Sequence, residues 1–289
     1  MRETPIVALI YDFDKTLSPR DMQEYGFIPS IDMEPARFWD ACRERAEKHS
    51  MDGVLAYMLE MHCRTKFTKE MLNKQGETIG FYPGVETWFP RIDEYGRSCG
   101  VEVEHYIISS GLKEIIDGTA IANRFKAVFA ASFVYGEDGY AIWPATAVNY
   151  TSKTQYLFRI NKGILDVTND EDLNGYTPER MRRVPFSDMI YVGDGLTDVP
   201  CMKLTKLKGG YSVVVHTPDN ARTADNMLLQ GRADYAVPAD YTQDSELERV
   251  VQMLIRRIRE HSDCVRLHQE QLTRARVRRK RLREARHGD

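Results

Sequence analysis

The chain has 289 residues, of which 42% are hydrophobic, and it carries a formal net charge of −3. This length predicts one large domain with a smaller inserted unit, and the overall charge argues against a dedicated nucleic-acid-binding protein. The five cysteines are scattered, which argues against a disulfide framework and a structural zinc site. Because no segment has the apolar length of a signal peptide or a bilayer span, we expect a cytoplasmic protein without membrane contact.

Five continuous apolar runs predict the strands of a buried parallel sheet. Runs that are apolar throughout, rather than at every second residue, are typical of strands covered on both faces. Helical patterns separate several of these runs, which indicates crossover connections. We therefore expect an α/β fold with a doubly wound, Rossmann-like parallel sheet, whose strands lie at residues 6–11, 103–108, 127–133, 189–192 and 211–216.

The interval between the first two strands differs from the rest of the chain. Residues 18–80 show helical spacing and no convincing strand, so we expect a small helical cap domain inserted after the first strand. Residues 1–17 and 81–243 then form the α/β core. Within this core, the glycines at the two ends of residues 136–139 predict a hairpin turn, and the polar segment 163–187 predicts an irregular excursion.

The last part of the chain, residues 244–289, predicts a C-terminal helix with a basic tail. Residues 274–286 read RARVRRKRLREAR. A helix of this composition is most simply a solvated surface element. Binding of nucleic acid or another phosphate-rich partner through the tail is the less favoured alternative. The sequence does not predict the oligomeric state.

Acidic and small polar residues follow the first two predicted strands. Asp12 and Asp14 come directly after the first strand, and their spacing places both side chains on one side of an extended segment. At the carboxyl edge of a parallel sheet, one carboxylate can attack or bind metal while the other transfers a proton. Ser109, Ser110 and Gly111 follow the second strand, where a hydroxyl and backbone N–H groups can bind phosphoryl oxygens, although a serine that caps a helix would look the same.

Charged residues also lie at the predicted start of a later helix and directly after a later predicted strand. Lys153 lies at the predicted start of a helix, where the helix dipole disfavours a cation. A facing anion would explain this lysine, and an ordinary surface lysine is the alternative. Asp194 and Asp198 follow the strand at residues 189–192 in a glycine-containing turn. Two acids four residues apart suit a hard cation such as Mg²⁺.

These elements, in this order, resemble the four motifs of the haloacid dehalogenase superfamily. The resemblance covers residues 6–240 and is closest to phosphatases with a helical cap of the first type, such as the phosphoserine phosphatase subgroup. The sequence DFDKT matches the first motif, DxDx[TV], and a serine, a lysine and an acidic pair match the others. The matching positions are residues 12–16, Ser109, Lys153, and Asp194 with Asp198.

The resemblance implies a Mg²⁺-dependent phosphoric monoester hydrolase that forms an aspartyl-phosphate. In such an enzyme Asp12 is the nucleophile, and Asp14 protonates the leaving oxygen and then activates water. Mg²⁺ is held by the Asp12 carboxylate, the backbone carbonyl of Asp14, and Asp194. Asp198 supports the metal or its waters.

The resemblance also implies how phosphate is bound and what kind of substrate enters. Ser109, with Ser110 and Gly111, and Lys153 bind the phosphoryl oxygens. A helical cap indicates a small phosphorylated metabolite as substrate. The carboxyl group of Asp14 argues against dehalogenases and phosphonatases, whereas a phosphotransferase or phosphomutase of the same fold stays an alternative. A nucleic-acid-associated protein that uses the basic tail is a second alternative.

Overall fold

A computed structural model describes residues 4–286 of the chain, without the side chains of residue 180 and residues 281–286. Its centre is a seven-stranded sheet. The strands are β1 (Ile6–Tyr11), β2 (Glu102–Leu112), β3 (Ala127–Tyr135), β4 (Ala141–Thr146), β5 (Met189–Gly193), β6 (Tyr211–His216) and β7 (Tyr235–Pro238). Their order is β4–β3–β2–β1–β5–β6–β7, and all neighbours run parallel except the β3–β4 hairpin.

The predicted α/β fold and its five strands are confirmed, with three differences. β2 continues to Leu112, so residues 109–111 lie inside this strand, at the place where its register with β3 is irregular. β3 likewise continues beyond residue 133. β7 lies outside the predicted strands, because only Val237 of its four residues is buried and Pro238 ends it, which leaves no continuous apolar run.

Helices cover both faces of this sheet. The helices of the described chain are α1 (Phe27–Ser30), α2 (Pro35–His49), α3 (Gly53–Arg64), α4 (Lys69–Gly76), α5 (Val85–Ser98), α6 (Lys113–Asp117), α7 (Lys153–Lys162), α8 (Asp170–Asn174), α9 (Val199–Leu207), α10 (Ala221–Leu229) and α11 (Glu246–Arg286). Short 3₁₀ turns lie at Met22–Glu24, Ala122–Arg124, Glu179–Met181, Phe186–Asp188 and Leu196–Asp198. The predicted excursion at residues 163–187 therefore contains the short helix α8, one whole 3₁₀ turn and part of another.

Local capping explains where several helices begin and end. The Asp52 carboxylate accepts hydrogen bonds from the first N–H groups of α3, and the Thr68 hydroxyl does the same for α4. α7 ends at Gly163, whose φ of 78° lies in the left-handed region that glycine adopts without a steric penalty.

The central strand β1 separates two hydrophobic clusters. Its odd-numbered residues pack with α5, α11 and the helices α2 and α3, and its even-numbered residues pack with α7, α9 and α10. All six residues are buried because both faces are covered, which explains the continuous apolar run in the sequence. This packing fixes residue 12 near the middle of the carboxyl edge of the sheet.

The interval at residues 18–80 contains helices α1 to α4 and, as predicted, no strand. α4 packs closely against α6 and the glycine that follows it. A Cβ atom on Gly118 would lie 1.8 Å from the carbonyl oxygen of Asn73, and one on Gly76 would lie 2.3 Å from that of Ile115. The interval also shares its hydrophobic cluster with the sheet, so its division from the core as a separate cap domain stays a prediction.

The C-terminal helix is confirmed as α11, which has 41 residues. Leu254 and Ile258 are buried in the core, whereas most side chains of residues 261–280 are exposed. The basic side chains beyond residue 280 and the chain ends at residues 1–3 and 287–289 lie outside the described residues. None of the described helices has the length and apolarity needed to cross a membrane.

We predict that Gly118→Ala destabilises the protein by about 1–3 kcal/mol, because the new methyl group overlaps the Asn73 backbone. Gly53→Ala is the matched control. Nothing lies within 4 Å of its added Cβ atom, so it should be neutral or stabilise by up to about 1 kcal/mol. Urea unfolding of both variants measures the difference. Equal free energies of unfolding would contradict the close contact between α4 and Gly118.

Candidate active site

The first and fifth strands bring two predicted acidic segments together. β1 and β5 are neighbours in the sheet, and Tyr11 pairs with Val192. The backbone N–H of Asp12 continues this pairing by donating to the carbonyl of Val192 at 2.9 Å. Asp194 directly follows β5, so both aspartates lie at the same carboxyl edge.

Three carboxylates meet at this edge. One carboxylate oxygen from each of Asp12, Asp194 and Asp198 lies within 4.8 Å of the others. Asp198 reaches the cluster from the 3₁₀ turn Leu196–Asp198 and is fully buried. The absence of a side chain at Gly193 leaves room for this carboxylate, since an added Cβ atom would lie 2.4 Å from Oδ2 of Asp198.

A single lysine bridges two of these carboxylates. The Nζ atom of Lys153 lies 2.9 Å from Oδ1 of Asp12 and 2.9 Å from Oδ1 of Asp198. Lys153 is the first residue of α7, and only 1% of it is exposed. The facing anions that its position at a helix N-terminus indicated are therefore these two carboxylates. The alternative interpretation of Lys153 as an ordinary surface lysine is wrong.

Burial and neighbouring charges shift the pKa values of the groups in the cluster. Burial raises the pKa of Asp12 to about 6, although the Lys153 ammonium opposes this shift. Burial and the neighbouring carboxylates of Asp198 and Asp12 raise the pKa of Asp194 to about 8. Burial works against the charged lysine, but the same carboxylates hold the pKa of Lys153 above its ordinary value.

The donor set fits a hard divalent cation. It consists of carboxylate oxygens only, which are the ligands that Mg²⁺ prefers in proteins. Oδ2 of Asp198 is buried and has no hydrogen-bond partner. A buried carboxylate oxygen without a donor is costly, and a cation would satisfy it. Asp12, Asp194 and Asp198 are thus the side chains that could hold the metal.

The Asp14 side chain contacts Met22 and the segment around Gly111. Its Oδ1 atom accepts a hydrogen bond of 2.8 Å from the backbone N–H of Met22. Its Oδ2 atom lies so close to Gly111 that a Cβ atom there would be 2.9 Å away. Burial, followed by the charges of Asp21 and Asp12, raises the pKa of Asp14 well above its ordinary value. A protonated carboxyl group of this kind can donate a proton. Asp14 as a metal ligand through its backbone carbonyl stays a prediction.

The segment at residues 109–111 lies beside Asp14. Ser109 is fully buried, and its Oγ atom accepts a hydrogen bond of 3.0 Å from the N–H of Gly111. The carbonyl of Ser110 accepts a hydrogen bond of 2.8 Å from the hydroxyl of Tyr57 in α3. The role of these residues in binding phosphoryl oxygens stays a prediction, as do the catalytic roles of the aspartates.

Sequence reasoning missed three residues that touch the site. Met22 and Tyr57 come from the helical interval, and the hydroxyl of Tyr191 in β5 donates to Oδ1 of Asp198 at 2.7 Å. All three are buried residues of the hydrophobic clusters, so the local sequence gives no signal for a contact with the site.

We predict that Lys153→Met lowers the free energy of unfolding by about 3–5 kcal/mol in EDTA, because it leaves two buried carboxylates without their cation. Lys206→Met is the control. It removes a partly exposed ion pair with Asp234, and such pairs contribute no more than about 1 kcal/mol. Urea unfolding at pH 8 measures both effects. A Lys153→Met variant as stable as the control would show that Lys153 does not stabilise the cluster.

Comparison with known proteins supports the motif resemblance. The sequence profile of haloacid dehalogenase-like hydrolases matches residues 9–203. The chain is also 25% identical over 273 residues to an uncharacterized protein of Borreliella burgdorferi, covering 84% of this chain and 94% of that protein.

Solved structures show the same fold. A HAD family hydrolase of Salmonella enterica serovar Typhi has a TM-score of 0.55 at 16% identity, covering 82% of this chain and 69% of that one. A substrate-bound phosphoserine phosphatase has a TM-score of 0.55 at 14% identity, with 88% and 99% covered. A phospho-aspartyl intermediate analogue of phosphoserine phosphatase has a TM-score of 0.53 at 14% identity, with 86% and 99% covered. Since the profile match spans more than half of the sequence, the chain belongs to the haloacid dehalogenase-like hydrolase family.

Proposed function

We propose that this chain is a Mg²⁺-dependent phosphoric monoester hydrolase that acts on a small phosphorylated metabolite through an aspartyl-phosphate on Asp12. One observation carries the proposal. The Asp12 carboxylate is held by the buried Lys153 ammonium at 2.9 Å, beside two further carboxylates that could share a cation with it. The fold shared with a phosphoserine phosphatase whose structure holds a phospho-aspartyl intermediate analogue is consistent with this chemistry.

Asp12 is the group suited to attack phosphorus. Its Oδ1 atom is bound by Lys153, which leaves the other carboxylate oxygen to form the new bond. A carboxylate that approaches a phosphate dianion is repelled, and the Lys153 ammonium offsets this repulsion and stabilises charge on the transferring group. When Mg²⁺ is bound by Asp12, the Asp14 backbone carbonyl and Asp194, with Asp198 in support, it adds further positive charge.

Asp14 supplies and recovers the proton. As the Asp12 oxygen bonds to phosphorus, the ester P–O bond breaks and the leaving oxygen takes the proton from Asp14. Asp14 then accepts a proton from water, whose oxygen attacks the aspartyl-phosphate at phosphorus and releases Asp12 with inorganic phosphate. The raised pKa of Asp14 suits the first step, because it keeps the carboxyl group protonated when the substrate arrives.

The helical interval supports a small substrate. Tyr57 of α3 contacts the carbonyl of Ser110, and Asn149, four residues before Lys153, donates to the Asp52 carboxylate at 2.8 Å. α3 therefore lies against both segments that would bind the phosphoryl group. Such a cover favours a small metabolite over a polymer and limits the entry of water.

We predict that Asp12→Asn lowers phosphate release from p-nitrophenyl phosphate by at least about 10³-fold, because the amide cannot form the aspartyl-phosphate. The melting temperature of the variant serves as the control for folding. EDTA should silence the wild type, and Mg²⁺ should restore it. Turnover by Asp12→Asn at the wild-type rate would contradict the proposal. A panel of phosphorylated metabolites, assayed for inorganic phosphate, then identifies the substrate and separates hydrolysis from phosphoryl transfer.

We predict that Asp14→Asn acts differently on two kinds of ester. An alkyl leaving group needs a proton, so its release in the first turnover should slow by about 10²–10⁴-fold. A nitrophenolate leaves without one, so its burst should slow much less. Rapid-quench measurement of the leaving group compares the two esters. Equal slowing of both bursts would assign the proton transfer to another group.

A further inference from the structure

The side-chain hydroxyl of Tyr191 in β5 is hydrogen-bonded to the carboxylate cluster. It is fully buried, and its hydroxyl donates a hydrogen bond of 2.7 Å to Oδ1 of Asp198. Lys153 donates to the same oxygen at 2.9 Å. Two donors from two different elements, a strand and a helix, thus bind a single carboxylate oxygen.

This arrangement fixes the orientation of the Asp198 carboxylate. With Oδ1 bound from two directions, the carboxylate cannot rotate without breaking two charge-assisted hydrogen bonds. Oδ2 is then held against the backbone of Gly193, where a side chain has no room. This second oxygen is buried and lacks a hydrogen-bond partner.

The two donors are not equivalent. Lys153 is shared, because its ammonium also binds Asp12 and is the cation nearest to the nucleophile. If a phosphoryl group reaches Asp12, one of the lysine protons is needed for a phosphoryl oxygen. Tyr191 binds no second carboxylate of the cluster, and its other side-chain contact is with the Cys201 thiol.

We propose that Tyr191 is a positioning residue that holds the Asp198 carboxylate in the orientation needed for a divalent cation, independently of Lys153. The inference rests on the proposed function in that it takes the cluster as the Mg²⁺ site. Groups that orient a metal-binding carboxylate commonly change metal affinity or activity by about 10–100-fold when they are removed.

Tyr191→Phe tests the proposal because it removes only the hydroxyl and keeps the ring in the core. The metal-free protein is titrated with Mg²⁺, and the rise of its melting temperature gives the half-saturating concentration. We expect Tyr191→Phe to need about tenfold more Mg²⁺ than the wild type. Tyr156→Phe is the matched control, since this buried tyrosine of the same hydrophobic cluster stacks on Phe129. It should titrate as the wild type does.

A double variant separates positioning from general damage to the core. If Tyr191 acts through Asp198, adding Tyr191→Phe to Asp198→Ala, which removes the acceptor altogether, should raise the half-saturating Mg²⁺ concentration no further than Asp198→Ala alone. A further rise in the double variant would overturn the proposal. So would a Tyr191→Phe variant that titrates like the wild type.

The binding readout also distinguishes this inference from the proposed function. If the wild type responds to Mg²⁺ but hydrolyses no phosphate ester, the proposed function fails and the titrations still decide the role of Tyr191. If the wild type hydrolyses esters and Tyr191→Phe binds Mg²⁺ normally, only the role of Tyr191 fails. A wild type whose melting temperature does not respond to Mg²⁺ overturns both.

Discussion

The structure depends most on the pairing of one buried ammonium with a cluster of three carboxylates. Lys153 lies 2.9 Å from oxygens of Asp12 and Asp198, and Asp194 completes the cluster. Buried charges are costly unless they are paired, and one cation cannot pair with three anions. Burial, together with the negative charge of neighbouring carboxylates, raises the pKa values of Asp12 and Asp194, although Lys153 opposes both shifts. This excess of negative charge suits a divalent cation, which together with Lys153 would offset the charge of an incoming phosphoryl group.

The order of strands explains how distant residues reach this site. β1 lies between β2 and β5, so the segments that follow all three strands meet at the carboxyl edge of the sheet. α7 and α9 cover the same face of the sheet, and α7 starts at the residue that pairs with Asp12. The other face carries α5, α11 and the helical interval, whose helix α3 contacts the Ser110 carbonyl. The Lys153 ammonium therefore reaches the carboxyl edge from one face of the sheet, and α3 covers this edge from the other face.

Family membership and site geometry contribute different parts of the functional conclusion. Membership in the haloacid dehalogenase-like hydrolases rests on the sequence profile, and the solved structures add the fold. The geometry adds which side chains of this chain are close enough to act together. The proposed phosphatase chemistry and the proposed role of Tyr191 both rest on these contacts.

The sequence by itself determined the α/β class, the buried strands and the short motifs at their ends, because burial on both faces leaves a continuous apolar run that the acids abruptly end. The sequence did not predict β7, because this strand is short and partly exposed. Only the tertiary structure decided that Asp14 turns to Met22 and Gly111 and that Tyr191 reaches Asp198. Such contacts depend on rotamers and on the register of strands far apart in sequence, neither of which leaves a local pattern.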